Sequence, residues 1–275
     1  MDQYIQAIVL GIVQGLTEFL PISSSGHLII VPWLFGWTDP FITSLAFSVM
    51  LHIGTLLALL IYFGKDWIRL VPAGLATIRD RSFRGDPERK LAWLLVAATI
   101  PAAIAGFLLN DTIETAVRSV GLVTVMLVVG AAIMWLADRW GGRSKGVDDV
   151  TFPVAVGLGV AQSLALIPGI SRSGISISAA RVAGLDREAA ARFSFLMATP
   201  ITFGAALFEV RKLATGEAGV AVSLGPLVAG MAAAFIAGIL AIKGLLGYLR
   251  SHSLDIFVAY RLVLAAVIAV LWLLR

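Results

Sequence analysis

Long uninterrupted apolar stretches dominate the chain. Six of them, approximately 44–63, 91–109, 119–137, 190–210, 225–243 and 255–274, reach the roughly 20 residues that a helix needs to cross a bilayer. Two others, about 4–36 and 153–180, are as apolar but broken in the middle. The first breaks at Pro21-Ile22-Ser23-Ser24-Ser25-Gly26 and the second at Pro168-Gly169-Ile170-Ser171-Arg172-Ser173-Gly174. In lipid, broken backbone is tolerated only inside protein or along a wet cavity, and neither half of either stretch is comfortably long enough to cross alone. The pattern therefore predicts an all-α integral membrane protein with six transmembrane helices and two re-entrant helix hairpins.

The two broken stretches resemble each other. A shift of 148 residues places Gly11 on Gly159, Gln14 on Gln162, Ile22 on Ile170, Ser23 on Ser171, Ser25 on Ser173 and Gly26 on Gly174. Three spans follow each hairpin. An odd number of spans per unit turns the second copy upside down, so the expectation is an inverted-topology repeat. The whole chain, 1–275, then forms a single membrane domain of two repeats, roughly 1–140 and 150–275.

Charge tests the topology independently. With 64–90 on the cytoplasmic side, the inner segments 64–90, 138–152, 181–192 and 243–254 carry 15 of the 21 Lys and Arg residues. The outer segments carry Arg118, Arg211, Lys212 and Arg275. Basic residues collect inside, which puts both termini outside and lets the two hairpin tips enter from opposite faces and meet. Composition agrees: 59% of residues are hydrophobic and 14% charged, against about 25% charged in soluble domains. The N-terminus lacks the basic region and cleavage site of a signal peptide, so Met1 is expected to begin the mature chain. No basic-aromatic stripe points to nucleic acid. Without cysteine, the chain has no disulfide, thiolate metal site or cysteine nucleophile.

An ionisable residue at membrane depth is a functional candidate. Glu18 and His27 fall in the first hairpin, and Arg172 is the charged residue of the second. Gln14 and Glu18, four apart, share a helix face. The Ser23-Ser24-Ser25-Gly26 and Ser171-Arg172-Ser173-Gly174 turns each open a helix, offering hydroxyls and backbone N–H groups suited to phosphate. Arg172 adds a planar fork that fits phosphate oxygens. Together the tips supply an anion pocket, a carboxylate, an imidazole and hydroxyls, the parts of a phosphoryl-transfer site. Bland readings compete. Serines such as Ser176 often serve only helix packing, and Glu18 with Arg172 could simply neutralise each other. His52 reads as a packing or hydrogen-bonding residue, Arg261 as snorkelling or paired, and Arg79–Lys90 as a solvated loop near anionic headgroups.

The segment Gln14-Gly-Leu-Thr-Glu18-Phe-Leu-Pro21-Ile-Ser-Ser24-Ser-Gly-His27 resembles the first signature of the bacterial undecaprenyl-diphosphatases of the bacitracin-resistance type. Pro168-Gly-Ile-Ser-Arg172-Ser-Gly174 resembles their second, and Phe193–Pro200 and Ala259-Tyr260-Arg261 are similar to further family segments. The resemblance covers nearly the whole chain. It implies hydrolysis of undecaprenyl diphosphate to the monophosphate, recycling the lipid carrier of cell-wall synthesis at the bacterial plasma membrane. It also implies Glu18, Ser24, His27 and Arg172 as catalytic positions. Ser24 is the expected nucleophile with His27 as proton-transfer partner, although His27 or water as nucleophile stays open. Gln14 stands at the first acidic position of the family's Glu-rich motif, where both residue types occur; as a glutamine it is a ligand or orienting group, not a base.

The expected substrate contacts are Gln14, Ser23, Ser25, Gly26, Ser171, Ser173 and Gly174, with Glu18 binding a divalent cation (Mg²⁺ or Ca²⁺) or acting as base. Partners are a polyprenyl diphosphate and membrane lipid, and a homodimer is an admissible assembly. Other phosphatase chemistries lack their parts: there is no cysteine loop and no Asp-x-Asp pair, and Ser25-Gly26-His27 is too short to claim the remaining lipid phosphatase pattern. The rival reading is a transporter or flippase for phosphorylated lipid, which inverted repeats with broken helices also suit.

The 15-to-4 asymmetry predicts that a single cysteine introduced near Arg84 reacts with a membrane-impermeant thiol reagent only after sealed cells are opened. Labelling from outside intact cells rejects the orientation.

Overall fold

The computed structural model describes residues 2–83, 85–109, 119–142, 144–215 and 221–274. Arg84, Arg118, Arg143 and Arg275 of the charge analysis lie outside these residues. The described chain is helical: α1 Gln3–Phe19, α2 Ser24–Phe35, α3 Leu45–Tyr62, α4 Gly64–Asp80, α5 Pro87–Leu108, α6 Val120–Trp140, α7 Phe152–Ser163, α8 Arg172–Val182, α9 Arg187–Ala214, α10 Leu224–Leu249 and α11 Asp255–Leu274. Six of these, α3, α5, α6, α9, α10 and α11, are long and apolar enough to cross a membrane. They cover the six expected stretches, and α5, α9 and α10 each run several residues beyond the apolar core of their stretch. Large apolar side chains such as Phe107, Leu207, Val263 and Leu273 are exposed on their outer faces. The chain is a multi-pass membrane protein.

Both broken stretches break where the sequence indicates. α1 stops at Phe19 because Leu20 turns extended ahead of Pro21, and proline disfavours helix in the residue before it. Ser23 then takes φ 76°, and its side chain caps α2 by accepting from Gly26 N at 3.3 Å. In the second stretch α7 decays through a 3₁₀ turn at Leu164–Leu166, Gly169 takes φ 102°, and Ser171 takes φ 77°. Ser171 caps α8 by accepting from Gly174 N at 3.1 Å. Ser23 and Ser171 thus share a left-handed backbone that L-residues rarely adopt, at a cost on the order of 1–3 kcal/mol each. The two tips touch: Gly169 N donates to Ser23 Oγ at 3.1 Å, and Ser173 Oγ donates to Leu20 O at 3.1 Å.

The inner segment that begins at 64 opens with a helix, and the loop expected over Arg79–Lys90 is confined to the stretch between Asp80 and Pro87. α4 follows α3 directly and carries an apolar stripe, Ile68, Val71, Leu75 and Ile78, that is exposed, while Leu70 and Thr77 are buried on the other side. That stripe, flanked by Lys65, Arg69 and Arg79, is the pattern of a helix lying along a membrane surface. The charges between its apolar residues hide the helix from a search for uninterrupted apolar runs. Arg79 lies in the last turn of α4, and Lys90 already belongs to α5. Arg181, counted among inner-loop cations, is instead fully buried at the end of α8. Its Nε donates to Asp138 Oδ1 at 3.0 Å, and Arg187 donates to both oxygens of the same carboxylate at 2.8 and 3.0 Å. This cluster ties the ends of α6 and α8 to the start of α9.

α1 packs along α10, and α7 packs along α5. Small residues permit the close approach. A Cβ on Gly11 would lie 2.1 Å from Gly230 O, and one on Gly15 would lie 2.5 Å from Ala234 O. A Cβ on Gly159, which aligns with Gly11, would lie 2.3 Å from Ala98 O. Backbone cannot yield as a side chain tip can, so Gly11→Ala and Gly159→Ala should each lower stability by roughly 1–3 kcal/mol. Thermal unfolding of the purified variants in detergent measures this; melting at the parental temperature would show that the helices separate without penalty.

Candidate active site

Glu18, on the last turn of α1 and buried, is the hub of a polar cluster. Its Oε1 accepts from Arg172 Nη2 and its Oε2 accepts from Ser24 Oγ. Gln14 Nε2 also donates to Oε2, at 3.0 Å, and His52 Nε2 lies 3.4 Å from that oxygen. Because the four-residue spacing puts Gln14 directly above Glu18, and Ser24 opens the helix after the break, the first signature folds its own carboxylate against its own hydroxyl. Arg172 arrives from the second signature. Its Nη1 donates to Thr202 Oγ1 at 2.6 Å and to Ala198 O at 3.2 Å on α9, which aims the guanidinium at Glu18.

Glu18, Ser24, Ser25, Ser171 and Arg172 line one cavity of about 650 Å³. Its remaining wall is mostly apolar, from Ala102, Gly106 and Phe107 on α5 and Ile201, Ala205 and Phe208 on α9. A polar floor beneath apolar walls suits an amphiphile with a charged head.

The other expected residues sit behind this surface. Ser23 and Ser171 accept from Gly26 N and Gly174 N, so these two amides serve as caps rather than facing a ligand. The first two amides of each helix, at Ser24, Ser25, Arg172 and Ser173, lie outside those caps. Ser173 Oγ is spent on Leu20 O. His27 does not meet Ser24. Its Nδ1–H donates to Ser23 O at 2.7 Å, a carbonyl being an acceptor only, and in the neutral ring Nε2 accepts from Tyr260 Oη at 2.7 Å. The hydroxyl expected to pair with the imidazole pairs with the carboxylate instead.

Three residues outside the expected set join the site. His52 donates through Nδ1 to Ser48 O at 2.8 Å, presents Nε2 to Glu18 and lines the cavity. The rule that marks ionisable residues at membrane depth applies to it as to Glu18. Thr202 gives no comparable signal, since a threonine in an apolar span is ordinary. Tyr260 orients His27 from 233 positions away, a contact that no local pattern reports.

Arg261 neither snorkels nor pairs with a carboxylate among the described residues. It is fully buried, and its five N–H donors reach five carbonyls. Nε donates to Leu127 O at 3.1 Å; Nη1 to Pro21 O at 3.3 Å and Ile170 O at 3.0 Å; Nη2 to Met126 O at 3.2 Å and Gly169 O at 2.7 Å. One side chain thereby holds both broken turns against α6. Gly130 makes the room, since a Cβ there would lie 2.0 Å from Nη2.

Among the described residues no cluster of three or more His, Asp or Glu surrounds a metal position. Oxygen donors are nonetheless present. Gln14 Oε1 is buried beside the Glu18 carboxylate with no hydrogen-bond partner among the described residues, and Ser24 Oγ adjoins that carboxylate. A hard divalent cation that keeps water and substrate phosphate among its ligands fits such a partial set.

Comparison with known proteins gives the chain its family. The chain is 46% identical over 270 residues to an undecaprenyl-diphosphatase of Desulforudis audaxviator, covering 98% of both chains. It is 47% identical over 272 residues to that of Moorella thermoacetica, covering 98% of this chain and 99% of the other. It is 43% identical over 275 residues to that of Thermodesulfovibrio yellowstonii, covering both completely. Residues 7–267 match the family described as bacitracin resistance protein BacA, and the chain belongs to that family.

Proposed function

We propose that this protein hydrolyses undecaprenyl diphosphate to undecaprenyl phosphate and inorganic phosphate, in the bacterial plasma membrane, returning the lipid carrier to cell-wall synthesis. The observation that carries this reading is the joining of Glu18 and Ser24 from the first signature with Arg172 from the second at the floor of one apolar-walled cavity. The relatives' activity supports it. The diphosphate enters head first and the polyprenyl chain lies along the apolar wall.

Arg172 is bound by Glu18 before substrate arrives. A diphosphate offers the guanidinium a bidentate, more highly charged partner, and the carboxylate it releases is the one hydrogen-bonded to Ser24. Ser24 Oγ then attacks the terminal phosphorus. The Oγ–P bond forms and the bond from that phosphorus to the bridging oxygen breaks, leaving the electron pair on the lipid phosphate. The hydroxyl proton passes to Glu18 and on to the departing oxygen. Water next attacks the phosphoserine; its hydroxyl stays on the released phosphate, and its other proton returns through Glu18 to Oγ. Arg172 and the first amides of α2 and α8 take the charge that develops on the phosphoryl oxygens. His27, held by Ser23 and Tyr260, positions the turn that carries Ser24.

The matched cap geometry at Ser23 and Ser171 supports two re-entrant hairpins within an inverted repeat. So does the reciprocal packing, in which each broken stretch lies along the second long span of the other half. The same architecture favours a second reading, translocation of phosphorylated lipid. Phosphate release by purified protein in detergent, where there are no two sides, separates the two.

Glu18 and Gln14 would hold a divalent cation, which would supply charge neutralisation for the diphosphate. Chelation should abolish phosphate release from a polyprenyl diphosphate, with recovery on adding Mg²⁺ or Ca²⁺. Undiminished release after exhaustive chelation leaves Glu18 as a base alone.

Arg172→Lys should fold normally yet lose roughly 10²-fold or more in kcat/KM, because an ammonium cannot reproduce the fork; Arg172→Ala should lose more. If Arg172 only neutralises Glu18, the lysine variant keeps near-parental turnover and the alanine variant mainly loses stability. Kinetics and thermal unfolding of both variants decide between these outcomes.

A further inference from the structure

Gln162 lies on α7, 3% exposed, and lines the same cavity as Glu18 and Arg172. Among the described residues, neither its Nε2 nor its Oε1 has a hydrogen-bond partner. Its counterpart in the first broken stretch, Gln14, gives Nε2 to Glu18 one turn later. One turn after Gln162 stands Leu166, which cannot accept. An amide buried with both ends unmet is disfavoured in a folded protein and is kept where something else fills it.

We propose that Gln162 is a substrate-contacting residue of the hydrolysis, holding a phosphoryl oxygen and the attacking water together. The inference rests on the hydrolase reading above. An ionised diphosphate offers only acceptors, so it satisfies Nε2–H but not Oε1. Water offers donors, so it satisfies Oε1. A hydrolytic site brings both to one place, and a primary amide presents one donor edge and one acceptor edge in a single plane. The same logic serves glutamines that orient attacking water in nucleotide hydrolysis. Gln162 Nε2 donates to a non-bridging oxygen of the phosphoryl group while Oε1 accepts from the water that attacks phosphorus. The amide gains and loses no proton; the water's departing proton follows the Glu18 route to Ser24 Oγ as the phosphorus–Oγ bond breaks.

A glutamine kept for packing and one kept for substrate respond oppositely to Gln162→Met, which preserves length and volume but removes both polar groups. In full-length protein in detergent without substrate, Q162M should melt at or above the parental temperature, because two unmet groups disappear. Its kcat/KM on a polyprenyl diphosphate should fall by about 10-fold or more. Q162E, which sets a carboxylate against the diphosphate, should lose more still. A farnesyl methylenediphosphonate, which cannot be cleaved, should raise the melting temperature of the parent more than that of Q162M. A Q162M protein that melts well below the parent, or that turns over at the parental rate, overturns the assignment. If the parent itself neither releases phosphate nor is stabilised by the diphosphonate, the hydrolase reading fails and takes Gln162 with it. If the parent does both and Q162M matches it, Gln162 alone is excluded.

Discussion

A helix broken in a buried place leaves peptide groups with no water to bond, and each group left unmet is costly. This chain has two such breaks and settles them against each other. Gly169 N of the second turn is met by Ser23 Oγ of the first, and Leu20 O of the first by Ser173 Oγ of the second. Arg261 takes carbonyls from both. Each turn meets part of the other's backbone demand, and the same contacts hold Glu18 opposite Arg172. The meeting of the two signatures follows from the hydrogen-bonding demands of the breaks.

Electrostatics completes the arrangement. Glu18 accepts from Gln14, Ser24 and Arg172, and the guanidinium compensates the carboxylate's charge. A buried pair of this kind contributes little net stability compared with an apolar replacement, yet removing one partner strands the other. Its value lies in being exchangeable. The guanidinium and the Ser24 hydroxyl sit on different oxygens of the one carboxylate, so Glu18 couples them directly.

The long spans were legible because apolar length suffices to identify them, and the breaks because proline, glycine and serine punctuate both at matching positions. Glu18, Ser24 and Arg172 were legible through their cost at depth and their motif context. α4 was not, since charges interleave its apolar stripe and its amphipathic period only matters once it lies flat. Arg261 looked like an ordinary helix-end cation because its partners are carbonyls, which every residue carries and no sequence distinguishes. The pairing of His27 with Tyr260 is not legible in either segment, because a contact across 233 positions is a property of packing alone.

Arg261 also bears on how the protein is made. It sits on the last described helix and bonds Pro21 O, 240 residues earlier. At roughly 5–20 residues per second of synthesis, the first turn waits on the order of ten to fifty seconds for the guanidinium that clamps it. Until α11 is inserted, the nascent chain holds an unclamped turn whose carbonyls must find temporary partners. The clamp on the first turn is thus supplied by a helix made 240 residues after it. A chain released before α11 would carry both signatures without the guanidinium that clamps their turns.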